Sequence, residues 1–187
     1  YILTQNDVMN MSLGSDYLTE QARQYVIFQE PSYADAYFTE AEVTRRRDQA
    51  LLSMQNHARA DDTTSVQLLS EALDMSNDLM DQEIHAMKLA AIAADRDISV
   101  LPSRLQKYTL SPEEMQSSRD QQLATAFQLV FGTEYQHTKK VMADKLSNVT
   151  TNVMSSCSMR QMESEQNVWR ALSRQSLYPA LFVFLLL

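Results

Sequence analysis

Apolar positions recur along most of this chain at intervals of three and four, with polar residues between them. The clearest run carries Val66, Leu69, Leu73, Met80, Met87 and Ala94, the spacing of one face of an α-helix. No stretch sustains the alternation that marks a strand. Breakers and cap residues then divide the text. Proline disfavours helix at the residue before it, so Pro31 is expected to end a first helix near Glu30. Ser32 is expected to cap a second helix, running to about Ala60. The Asp-Asp-Thr-Thr cluster at 61–64 offers N-cap residues for a third helix, ending near Asp97. Residues 98–112 form the one long connection. Ser111 and Glu114 have capping-box spacing, with Pro112 at the first helical position. A shorter helix is expected from there to Phe131. Gly132 breaks it, and a last helix runs from Thr133 to Tyr178 and on through Pro179.

This pattern predicts an all-α protein, an antiparallel up-down-up-down four-helix bundle with a helical insertion between helices 3 and 4. The first helix then enters, and the last leaves, at one pole, and the insertion, 98–132, lies at the other. Composition agrees. Only two glycines and four prolines occur in 187 residues, against about 7% glycine in average usage, so positive-φ turns are scarce. A formal charge of −8 argues against a nucleic-acid partner, since phosphate binding needs a basic face. The single cysteine, Cys157, excludes an internal disulfide and a thiolate metal cluster.

The final ten residues, YPALFVFLLL, are too few to cross a bilayer, which takes about 20 apolar residues. They read as the first part of a transmembrane helix beginning near Pro179, with another such helix ahead of Tyr1. Residues 1–178 then form the extracytoplasmic domain and 179–187 the start of the membrane helix. The alternative is a helix end tucked into a core. If both terminal helices continue into the membrane, a parallel homodimer through the first and last helices is expected.

The stretch 15–51 carries a more specific pattern. Arg23, Tyr25 and Val26 precede the turn, and Tyr33 and Tyr37, four apart, follow it. It resembles the first helical hairpin of bacterial extracytoplasmic four-helix-bundle sensor domains of the CHASE3-like and chemoreceptor-like kinds. AFQLVFGTEYQHTKK, at 126–140, is similar to the segment of such sensors where an insertion re-enters the last helix. Phe28-Gln29-Glu30-Pro31 stands where the family has a Thr-Gly-Asp-like turn. The resemblance implies the ligand-sensing module of a transmembrane receptor of chemoreceptor, diguanylate cyclase or histidine kinase type. It would sit on the extracytoplasmic, periplasmic side of a bacterial cytoplasmic membrane. Its partner would be a small molecule or a periplasmic protein, and its signal a helix displacement.

The candidate site follows from spacing. Asp16, Thr19 and Arg23 share one helix face. Pairing about Pro31 puts Asp16 level with Arg45, Arg46 and Arg47, and Arg23 level with Thr39 and Glu40. Asp48 falls on the side of Ala41 and Arg45. The expected result is a polar layer of Asp16, Thr19, Arg45 and Asp48, flanked by Arg23 and Arg46, with Asp16 in salt-bridge reach of Arg45 or Arg46. Such a layer is either a register-fixing ion pair or an arginine fork for a ligand carboxylate.

Catalysis finds little footing. Glu134 and His137 have half of a di-iron pattern, which needs a second Glu-x-x-His. Met54 and Gln82 stand at that distance before His57 and His85. No glycine-rich phosphate loop exists, and no nucleophile–base pair can be argued. The chain therefore reads as a non-enzyme without metal or cofactor. Asp81 and His85, four apart, read as a surface pair. Met75, Met80, Met87, Met142, Met154, Met159 and Met162 read as core or a sliding helix interface, and Cys157, in line with Val149 and Val153, as core-facing. Trp169 fits either a core or a membrane interface. The competing function is a membrane-anchored spacer or protein-binding adaptor without a small-molecule ligand. A spacer needs neither inward charges nor the insertion.

Overall fold

The computed structural model describes residues 2–59 and 62–184, with side chains to Ser173. The fold is all-α, with no strand among the described residues. Helix α1 spans Ile2–Phe28, α2 Pro31–Phe38, α3 Arg46–His57 and α4 Thr63–Ala93. Short helices α5 (Ser103–Lys107) and α6 (Pro112–Gln116) lead to α7 (Arg119–Phe131) and the long α8 (Thr133–Phe184).

The breakers act largely as the sequence suggests, with local differences. Helix α1 stops at Phe28, where Gln29 turns left-handed at φ 51. Its side chain holds the turn by donating to the Val26 carbonyl oxygen at 2.6 Å. Pro31 is already the first residue of α2 and Glu30 its cap position. Ser32 therefore lies inside the helix and does not cap it. The expected second helix is interrupted. Thr39–Thr44 forms a π-helical turn, and Arg45 follows in the left-handed region at φ 49, ψ 40, costly for a residue other than glycine. Each residue of a π-turn advances less around the axis than in an α-helix, so α3 is re-phased relative to α2.

The Ser111–Glu114 capping box forms, but the helix it starts is short. A second capping box, Ser118 with Gln121, starts α7. Gly132 breaks the chain as expected, at φ −66 and ψ 164. A Cβ there would lie 2.3 Å from the Gln128 carbonyl oxygen, a backbone atom with little room to yield. Gly132→Ala is expected to cost about 1–3 kcal/mol, read as a lower urea midpoint. An unchanged midpoint would show that the corner relaxes freely.

Three apolar clusters stack along the molecule. Ala126 and Val130 of α7 meet Val26, Ala86, Leu89 and Ala90 at one end. Leu18, Ala22, Tyr37, Met80 and Met87 fill the middle, covered by Leu101 and Leu105. Met142, Leu146, Val149 and Val153 of α8 meet Met11, Met54, Leu69 and Leu73 at the other end. Thus α7 packs alongside α4 and α1, and α7 followed by α8 runs along α4. The segment 98–132 is not wholly a distal cap, because the apolar face of α7 is used for side-by-side packing. Residue numbers fall along α3 as they rise along α1: Asp7 meets His57 at 3.3 Å, and Gly14 lies against Arg46 and Arg47.

Beyond Arg160, which reaches Asp62 at 3.8 Å, α8 outruns its neighbours. Met80, Met87 and Met142 are buried, while Met154, Met159 and Met162 are exposed, which corrects the core expectation for those three. Cys157 is half-buried rather than core-facing, and Trp169 is 72% exposed, so it is not a core residue. The backbone of the terminal run is helical through Phe184. Its side chains, residues 185–187 and Tyr1 lie outside the described residues, and the expected membrane helices lie with them. Among the described residues no helix is long and apolar enough to cross a membrane.

Candidate functional site

Helix α4 carries its apolar face through Met80, Ile84 and Met87, and Glu83 sits on that same face. The carboxyl is therefore driven into the middle of the fold, where Glu83 is 1% exposed. A carboxylate so placed must find donors, and three helices supply them. Tyr37 of α2 donates to Oε2 at 2.8 Å. Tyr135 of α8 donates to Oε1. Thr19 of α1 lies 3.1 Å from Oε1, 2.8 Å from the Tyr135 hydroxyl and 3.0 Å from the Ser15 carbonyl oxygen. Burial pushes the Glu83 carboxyl above the usual carboxylate range, against the pull of the three hydroxyls and of Lys139. The same burial, then the Glu83 charge, holds the Tyr37 and Tyr135 phenols well above their ordinary value.

Arg47 forms the other half. It is 3% exposed, donating through Nη1 to Ser76 Oγ at 2.7 Å and through Nη2 to Met80 Sδ at 2.7 Å. No carboxylate among the described residues is within ion-pair distance of it. Burial lowers its pKa, opposed by Tyr37, Asp48, Glu83 and Glu40. Gly14 makes the passage possible, because a Cβ there would meet Arg47 Cγ at 2.8 Å. Ser76 Oγ donates to Ser15 Oγ at 3.0 Å. Lys139 Nζ reaches Ser15 Oγ at 3.2 Å and Asp16 Oδ1 at 2.6 Å. A continuous polar seam thus crosses the interior from Arg47, through Ser76, Ser15 and Thr19, to Tyr135, Glu83 and Tyr37. Beside Arg47 a cavity of about 320 Å³ opens to the surface.

Of the residues expected from spacing, only Arg45 and Asp48 are brought together, and they do not form an interior layer with Asp16. Thr19 alone lies in the seam. Asp16 is exposed and pairs with Lys139 rather than Arg45 or Arg46. Arg45 pairs with Asp48 at 3.0 Å on the surface. Arg46 pairs with Glu40 at 2.7 Å and lies 5.3 Å from the centre of the Tyr17 ring. Arg23 points to the other end, its Nε donating to the Val130 carbonyl oxygen at 2.9 Å. Its guanidinium lies 4.9 Å from the Phe131 ring centre and 5.3 Å from that of Tyr135. The reason is local: the π-turn and left-handed Arg45 re-phase the arginine run, so the third arginine faces inward and the first two face out. Asp16→Ala is accordingly expected to cost under about 1 kcal/mol, as for other exposed pairs, read from the thermal midpoint; a loss of several kcal/mol would restore Asp16 to the interior network.

His85 pairs with Glu114 at 2.6 Å and stacks on Tyr108, because α6 folds over α4 there. Asp81 instead approaches Arg104 at 3.6 Å. Glu134 and His137 are exposed, and among the described residues no group of three His, Cys, Asp or Glu could hold a metal. Glu83, Tyr135, Ser76 and Lys139 are not singled out by spacing, and Arg47 is placed level with Asp16 but outside the expected layer. The signal for Glu83 was present, a carboxylate in step with Met80 and Met87. Compared with protein-family models, with curated proteins and with solved structures, the chain has no significant match in any of the three.

Proposed function

We propose that the chain is the extracytoplasmic sensing module of a bacterial transmembrane receptor, an antiparallel four-helix bundle that signals by displacing its last helix. The observation that carries this reading is the buried seam. It joins α1, α2, α3, α4 and α8 through hydroxyls, one carboxyl and two cations, and it borders an open cavity. A purely structural spacer gains nothing from buried charge, since apolar packing of equal volume is commonly as stable or more so. Polar layers with several members have discrete hydrogen-bonded arrangements, and packed interfaces move between such arrangements rather than deforming continuously. Tyr135 and Lys139 tie that rearrangement to α8, whose helical backbone runs on through Phe184. The module would work as a homodimer in the cytoplasmic membrane, with α1 and α8 of two copies side by side. The exposed Met154, Met159, Met162 and Trp169 on α8 suit such a partner and also favour the second reading, a protein-binding adaptor.

The test is topology. In the full-length protein in intact cells, with Cys157→Ser, a Ser103→Cys variant is expected to react with an impermeant maleimide from outside. Reaction only after lysis would place the domain inside the cell and overturn the reading.

A further inference from the structure

The cavity beside Arg47 is lined by two charges that have no ion-pair partner among the described residues. Three arginines and three aspartates line it. Arg45 is matched to Asp48 and Arg104 to Asp81. Two charges remain. One is Arg47, whose guanidinium has five N–H donors and spends one of its two hydrogen bonds on a thioether, a weak acceptor. The other is Asp78, exposed on α4, which has neither an ion pair nor a hydrogen bond among the described residues. Asp48, Glu83 and Glu40 act on Arg47 through their charge without bonding it, and a buried cation with no directly paired carboxylate leaves room for a ligand's anion. The backbone beside it is also unusual, a π-turn leading into left-handed Arg45, and π-turns are frequent at functional sites.

We propose that this cavity binds a small zwitterion, its carboxylate held by Arg47 and its ammonium by Asp78. A guanidinium presents parallel donors to a carboxylate, and Asn77 at the rim adds an amide able to orient either group. About 320 Å³, near the lower end for ligand pockets, suits a molecule of a few heavy atoms rather than a peptide. The binding site names the ligand chemistry for the sensing reading above and rests on that reading for its purpose only. Binding is measured on the chain itself and topology in cells, so either can fail without the other.

The probes are glycine, β-alanine and γ-aminobutyrate, which space the same two charges by increasing lengths, with acetate and ethylammonium as single-charge controls. Calorimetry at low ionic strength is expected to give one saturable site per chain for at least one zwitterion, roughly tenfold tighter than either control. Asp78→Asn, an exposed substitution outside the seam, is expected to weaken that binding by roughly tenfold or more with unchanged circular dichroism. Arg47→Gln should abolish it; if that variant fails to fold, Asp78→Asn decides. No saturable heat from any of the three, equal binding of acetate, or an Asp78→Asn variant that binds like the parent overturns the proposal.

Discussion

Replacing Glu83 with alanine is expected to remove about 3–5 kcal/mol of stability, a large share of what a domain this size has to lose. Two effects add. The alanine leaves a cavity where a fully buried side chain stood. It also strips the acceptor from the Tyr37 and Tyr135 hydroxyls, and each buried donor left unpaired costs about 1–3 kcal/mol. Thr19 suffers less, since it keeps the Ser15 carbonyl oxygen. Glu83→Gln separates charge from shape. Burial raises the Glu83 pKa in the fold, so the folded chain holds this proton where the unfolded chain, with a carboxyl pKa of about 4.3, has released it. The stability Glu83 contributes is thus complete below about pH 4.3 and is lost as pH rises through the folded value. Glu83→Gln should match the parent at acid pH and become relatively more stable as pH rises. Urea midpoints of the two proteins across pH 4–8 test this, and a constant difference between them would show that Glu83 is ionised in the fold throughout.

Gly14→Val is expected to cost about 2–4 kcal/mol, although glycine inside a helix is ordinarily a liability of up to about 1 kcal/mol. The added Cβ alone would sit 2.8 Å from Arg47 Cγ and 3.2 Å from Arg46 Cβ. The Arg47 stem cannot swing aside without releasing Ser76, and Arg46 is held by Glu40. The extra methyls of valine would push α1 and α3 apart at the level where Arg47 crosses. Chemical denaturation measures the loss. A neutral or stabilising Gly14→Val would mean that this interface is loose and that helix propensity decides.

How much of this was legible follows from what each residue needs in order to be read. Helix boundaries at Pro31, Ser111 and Gly132 depend on local chemistry, and sequence shows them. Ser118 and Gln121 form an equally local capping box, but they lie only a few residues after the first one. The π-turn has no such mark, because Thr-Glu-Ala-Glu-Val-Thr reads as ordinary helix and left-handed Arg45 is not a glycine. Since the phase of the arginine run depends on that turn, the expected layer of Asp16 with Arg45 could not survive it. Thr19 was found because its face is set by α1 alone. Asp16 with Lys139, and Glu83 with Tyr135, join residues far apart in sequence through the packing of α1, α4 and α8. Only an assembled fold supplies those pairings, although a glutamate on an apolar helix face signals that some partner must exist.

In the proposed reading, the length of α8 would turn a small event at the seam into a mechanical one. At about 1.5 Å per residue, Tyr135 stands about 21 Å from Val149, and Leu172 about 35 Å from it on the other side. Val149 is fully enclosed by its neighbours, at the centre of the buried stretch Met142–Val153, and would be the fulcrum in the proposed reading. If Tyr135 shifts sideways by about 1 Å when its hydrogen bonds are redrawn, a stiff helix swings Leu172 by about 1.6 Å in the opposite direction. In the proposed reading the rod would be a lever with its short arm in the polar interior and its long arm outside, reversing and enlarging the displacement given to it.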